Sequence, residues 1–203
     1  MGTKMKKLLI FLLGFSAGLD AMAASSDEAE ICYEKESRYC NGGGVAKDVE
    51  ETVRWCRKDA EQGHAGAQFI LGWCYYKGEG VKIDLVEAVK WYRKAAEQGL
   101  AKAQFFLGCC YDSGEGVKID LVEAVKWYRK SAEQGCDKAQ NNLGRCYYNG
   151  EGVKKDLVEA VKWYRKAAEQ GLVEAQYNLG CCYYKGEGVK KDGTAPKLVE
   201  TRF

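Results

Sequence analysis

The sequence predicts an all-α protein, an α-solenoid of stacked helical hairpins, and three observations carry that prediction. Trp55, Trp91, Trp127 and Trp163 recur at a constant step of 36 residues. The same step carries Leu71-Gly72 onto Leu107-Gly108, Leu143-Gly144 and Leu179-Gly180, and Gly78-Glu79-Gly80 onto the turns at Gly114, Gly150 and Gly186. Within each step the apolar residues return at helical spacing in two runs, each closed by glycine. Two helices of this length cannot each bury an apolar stripe alone, so neighbouring pairs have to stack.

Taken in order, residues 1–23 read as a secretory leader. Lys4, Lys6 and Lys7 precede an apolar run from Leu8 to Leu19, and Ala21-Met22-Ala23 supplies the small-x-small pattern at which leaders are cut. That run is well short of the roughly 20 residues that span a bilayer. Cleavage after Ala23 and export, periplasmic or secreted, are therefore expected, with no stable membrane span remaining. Removing three lysines and Asp20 from 31 basic and 29 acidic residues leaves 28 of each. A formally neutral chain lacks the electrostatic term that dominates nucleic-acid affinity, so nucleic acid is not an expected partner. With 46% hydrophobic and 12% aromatic residues, the composition is not that of a disordered chain.

Residues 24–44 read as a degenerate N-terminal capping helix and residues 45–192 as the repeat array. In each period the first helix opens as Asp84-Leu85-Val86-Glu87 does, with an aspartate N-cap and a glutamate three residues on, the pattern of a capping box. It continues through Ala88, Trp91 and Ala95 and stops at Gly99. The second helix sets Ala103, Leu107, Cys110 and Tyr111 on one stripe and ends at Gly114. Residues 193–203, with Gly193 and Pro196, break the register and read as an irregular tail. The last hairpin is then uncapped, and the region after Gly171 is expected to fray or to self-associate.

The pattern Ala-x-x-x-Leu-Gly-x-x-Tyr-x-x-Gly-x-Gly-Val-x-x-Asp-x-x-x-Ala-x-x-Trp-Tyr-x-x-Ala-Ala-x-x-Gly, from Ala67 to Gly99, resembles the Sel-one-like repeat, a relative of the tetratricopeptide repeat. The resemblance covers residues 45–192. It implies a right-handed superhelix of hairpins that acts as an adaptor for protein or peptide partners, with the second helices lining the concave surface. It does not imply a reaction.

Comparing repeats with one another separates what packing needs from what is free to vary. Residues 81–116 and 117–152 agree at 28 of 36 positions. On the second helix they differ at Phe105/Asn141, Phe106/Asn142, Cys109/Arg145, Asp112/Tyr148 and Ser113/Asn149, which lie on one helical face away from the Ala-Leu-Cys-Tyr stripe. The matching positions elsewhere hold Phe69, Trp73, Tyr76, Tyr177 and Tyr184, and such aromatic, Arg and Asn content is what interfaces favour. The candidate partner-binding residues are therefore Phe69, Trp73, Tyr76, Phe105, Asn141, Arg145, Tyr148, Tyr177 and Tyr184, and the expected partner is a protein or peptide. The recurrent tryptophan and the glycine of Leu-Gly read as packing residues.

All ten cysteines follow residue 23, where an oxidising compartment would meet them. Cys74, Cys110, Cys146 and Cys182 step by one period, so in stacked pairs they stand roughly 10 Å apart and read as small buried hydrophobes. Cys56 replaces the tyrosine of Tyr92, Tyr128 and Tyr164. A staple on the first hairpin is expected there, Cys32–Cys56 ahead of Cys40–Cys56 or Cys56–Cys74.

Nothing in the sequence points to a catalytic residue, a metal or a cofactor. The single histidine, His64, lies between helices, and Cys-x-x-Cys, His-Glu-x-x-His and Ser-x-x-Lys are all missing. Gly78-Glu79-Gly80 lacks the third glycine and preceding strand of a nucleotide loop. A cysteine-rich secreted branch of the resembled family is linked to β-lactam binding and hydrolysis, with one bridge per repeat. Its bridging positions correspond here to Ala96 and Gln104, or Ala60 and Gln68, so that framework is lacking. A small secreted hydrolase of that branch is the alternative to a binding scaffold.

Overall fold

Thirteen-residue helices follow one another in hairpins: α1 (Val49–Glu61) with α2 (Ala65–Lys77), α3 (Leu85–Glu97) with α4 (Ala101–Ser113), α5 (Leu121–Glu133) with α6 (Asp137–Asn149), and α7 (Leu157–Glu169) with α8 (Val173–Lys185). The structure is a computed structural model that describes residues 49–189. The expected leader, the capping helix at 24–44, Cys32, Cys40 and the tail at 193–203 lie outside the described residues.

The helix starts are those the sequence predicts. Asp84 Oδ1 accepts from the Glu87 amide at 2.9 Å, Asp120 from Val122 and Glu123, and Asp156 from Glu159, each cap worth about 1 kcal/mol. The return half of the capping box is not made. The Asp84, Asp120 and Asp156 amides donate instead to Tyr75, Tyr111 and Tyr147 carbonyls and tie each loop to the helix before it. The glutamates are left to pair with Lys90, Lys126 and Lys162 one turn on. Each second helix ends at a glycine in the left-handed region, Gly78, Gly114, Gly150 or Gly186, as expected.

Two devices close a hairpin. Gly116 brings its backbone onto the first turn of α3: a Cβ there would stand 2.0 Å from the Leu85 carbonyl oxygen, and φ is +69°, so only glycine fits. At the other end the Gln104 amide donates to the Ala96 carbonyl at 3.1 Å, as Gln68 does to Ala60 and Gln140 to Ala132. Buried hydrogen bonds hold the hairpin here.

Hairpins join through aromatic rings and amides. Tyr92 lies on Gly72 of the preceding pair, Tyr128 on Gly108 and Tyr164 on Gly144. Gln98, Gln134 and Gln170 each donate to the buried glutamine one pair back, at 2.7, 2.7 and 2.8 Å. The core between these joints is built from Ala88, Val89, Leu107, Ala124, Leu143 and their equivalents, with Cys74, Cys110, Cys146 and Cys182 buried in it. Trp91, Trp127 and Trp163 are buried beneath the ammonium groups of Lys94, Lys130 and Lys166, at 3.9, 4.2 and 4.2 Å from the ring centres, while Trp55 on α1 is exposed. No helix among the described residues is long and apolar enough to cross a membrane.

Candidate functional site

The nine candidate residues all fall on the second helices, α2, α4, α6 and α8, but they do not share one environment. Phe69 is a correction: it is 5% exposed, buried against Tyr92 and Phe106 in the core, and cannot anchor a partner. Trp73, Tyr76, Phe105, Asn141, Arg145 and Tyr148 are half-buried in the seams between successive second helices rather than pointing fully outward. Tyr177 and Tyr184, on α8, are 72% and 91% exposed.

On α2 and α4 the face is an aromatic floor. Phe106 is its centre, with ring centroids 5.5 Å from Phe69, 5.5 Å from Trp73 in an edge-on contact, 5.6 Å from Tyr92 and 5.4 Å from Phe105. Such pairs add about 0.5–1.5 kcal/mol each beyond burial. Trp73 stacks on Tyr76 at 6.0 Å, and the Lys77 ammonium lies over both rings. The sequence signal for Phe106 was present in the Phe106/Asn142 difference, yet Phe106 was not among the candidates.

On α6 and α8 the face is a hydrogen-bonded polar strip. Arg145 spans two carboxylates, Glu151 at 2.6 Å and Asp112 of the preceding pair, and Asp112 also accepts from the Tyr128 hydroxyl at 3.2 Å. Burial pulls the Arg145 guanidinium down, but Asp112, the Cys146 sulfur once ionised in alkali, and Glu151 outweigh it and hold it above its ordinary range. Asn178 donates to Asn141 at 3.0 Å, Tyr148 donates to Glu187 at 2.5 Å, and Lys185 reaches the Tyr148 oxygen at 3.2 Å.

The glutamate of Gly-Glu-Gly had no assigned role in the sequence, and the structure supplies one. Glu115 accepts from Tyr76, and Glu187 from Tyr148, so a loop of one pair grips the second helix of the pair before it. The hydrogen bond to Glu187 raises the Tyr148 phenol; burial, then Glu115, does the same to Tyr76.

No cluster of three or more His, Cys, Asp or Glu among the described residues is arranged to hold a metal. Burial pushes the Cys109 thiol, which lies beside this face, up to about 11, so it stays protonated at neutral pH and is a poor nucleophile. Cys56 is buried on α1, and its expected bridge to Cys32 reaches outside the described residues.

The Sel1 repeat profile matches residues 37–64, 65–100, 101–136, 137–172 and 173–195. The chain belongs to the Sel1 repeat family. Three solved structures place it further. A protective antigen of uropathogenic Escherichia coli with an SLR fold is 46% identical over 78% of this chain, with a TM-score of 0.74, and the match covers 34% of that protein. This chain thus spans about a third of that relative. A Sel1 repeat protein from Oxalobacter formigenes is 43% identical over 82% of this chain and 70% of its own, with a TM-score of 0.71. The cysteine-rich protein B of Helicobacter pylori is 28% identical over 68% of this chain and all of its own, with a TM-score of 0.52. Comparison with curated protein sequences returns no match.

Proposed function

We propose that this chain is an exported scaffold that binds a protein or peptide along its second-helix face, the concave side of the solenoid. The observation that carries the reading is the division of that face. Trp73, Tyr76 and Phe105 offer half-buried aromatic surface on a rigid floor, and Asn141, Arg145 and Tyr148 offer fixed donors and acceptors beside it. Apolar anchors that are already immobilised lose little entropy on binding, and neighbouring polar groups then set register and selectivity. Membership of a repeat family commonly used for protein contacts supports the same reading. Export, periplasmic or secreted, rests on the leader-like residues 1–23 and belongs to the proposal.

Capture by immobilised protein tests it, with Trp73→Ala/Tyr148→Ala as the comparison and helical circular dichroism as the control for folding. Loss of a captured partner in the double variant is expected, and equal capture by both proteins would remove the face from consideration.

A further inference from the structure

We propose that α8 is a self-association surface on which the α8 of a second copy of this chain docks antiparallel. At every internal junction a tyrosine ring fills the notch left by a helical glycine, Tyr92 on Gly72, Tyr128 on Gly108 and Tyr164 on Gly144. Gly180 is the fourth glycine of this series, and among the described residues nothing stands within 4 Å of where its Cβ would be. Around that open notch Val173, Tyr177 and Tyr184 are 71%, 72% and 91% exposed. Together with Cys181 they make one continuous stripe along the helix, the spacing of a helix–helix contact that no described residue makes. Apolar surface gathered on one face in this way marks an interaction site, unlike isolated exposed residues.

Charge says what fits there. Glu174 sits in the first turn of α8 and Lys185 in the last, both on the same flank of the stripe. In an antiparallel pair of identical helices, the two-fold axis passes beside Gly180 and Cys181. It sets Tyr177 against Tyr184 of the second copy and brings Glu174 to within two residues of level with Lys185 of the second copy, an axial offset of about 3 Å that long side chains span, twice per dimer. Glu174 has no ion-pair partner among the described residues. Lys185 meets the Tyr148 oxygen and lies 4.0 Å from Glu187, yet half of its side chain remains exposed.

Other occupants fit less well. In head-to-tail stacking, the α1 of a second copy would bring Cys56, itself buried, where the notch takes a tyrosine ring. The repeat register carries no ring one step on: a period beyond Tyr164 stands Glu200, and beyond Trp163 stands Val199. A thirteen-residue helix is about 20 Å long, so the contact is small and the dimer weak, with a dissociation constant on the order of tens of micromolar.

Sedimentation equilibrium of the full chain from about 1 to about 300 µM reads this directly. A reversible monomer–dimer equilibrium is expected. Glu174→Lys and Lys185→Glu should each weaken it about 10-fold, and the two together should restore it, because the double swap rebuilds both ion pairs. That restoration also shows that the single variants fold. A chain that stays monomeric across the range, or a double swap that remains as weak as the single ones, overturns the proposal. So does a dimer that appears only when residues 190–203 are deleted, since the chain's own C-terminal segment would then be the occupant.

Discussion

The ring of Tyr128 lies on the backbone of α4 at Gly108, where a Cβ would stand 2.7 Å from ring atom Cδ1. The same relationship holds at Tyr92 and Gly72 and at Tyr164 and Gly144, whereas no described residue lies on Gly180. The described residues therefore contain both the occupied and the open form of a single notch. Gly108→Ala should destabilise by about 1–3 kcal/mol, because the ring must move out of a packed seam. Gly180→Ala meets no described residue in a helix interior and should stabilise by about 0.5–1 kcal/mol. Urea unfolding of the two variants side by side checks this, and shifts of the same sign would contradict it.

Tyr92 and Tyr128 offer a second internal comparison. Both are fully buried, but the Tyr92 hydroxyl has no hydrogen-bond partner among the described residues, whereas that of Tyr128 donates to Asp112 and lies 3.5 Å from the Cys109 sulfur. The difference arises one pair back, where Trp73 and Tyr76 occupy the positions of Cys109 and Asp112. Tyr92→Phe should leave stability unchanged or raise it, while Tyr128→Phe should cost about 1–2 kcal/mol. Thermal melts of the two variants measure the contrast.

Gln104 joins three segments: it donates to the Ala96 carbonyl and accepts from Gln134 of the next pair, while itself almost fully buried. Gln104→Leu keeps the volume but strips both bonds, and should cost about 1–3 kcal/mol. Hydrogen exchange should rise at the α3–α4 turn and at the end of α5. Unchanged exchange at both places would show that the amide ladder does not hold the hairpins together.

Stability should fall in alkaline solution. Burial pushes the Cys109, Cys146 and Cys182 thiols up to about 11 and that of Cys110 to about 12. An unfolded cysteine titrates near about 8.5. Above that pH the unfolded chain sheds protons that the folded chain keeps, so the contribution is whole below about 8.5 and is lost as pH rises toward 11. The urea midpoint measured under reducing conditions should therefore drop between about pH 8 and pH 10, and a flat or rising midpoint contradicts this.

Much of the fold was legible in the sequence because its signals are local. Asp84 and Gly99 bracket α3, Gly114 closes α4, and copies one period apart repeat the message. The candidate face was only partly legible. Comparing Phe105 with Asn141 finds a helix face but not its exposure, which depends on the neighbouring pair. The register position of Phe69 shows this: Phe69 is buried because Phe106 and Tyr92 close over it, whereas Tyr177 at the same position is open and no ring of the described residues lies on Gly180. The bonds from Tyr76 to Glu115 and from Tyr148 to Glu187 join residues 39 apart, a separation no helical period reveals.

The second-helix face as the partner-binding surface is tested most directly by site-specific photocrosslinking in an extract of the source cells. A photoreactive phenylalanine placed at Trp73 or at Tyr148 should capture the same partner, and one placed at the exposed Val122 of α5 should capture none. Capture from Val122 with silence at Trp73 and Tyr148 would contradict the account.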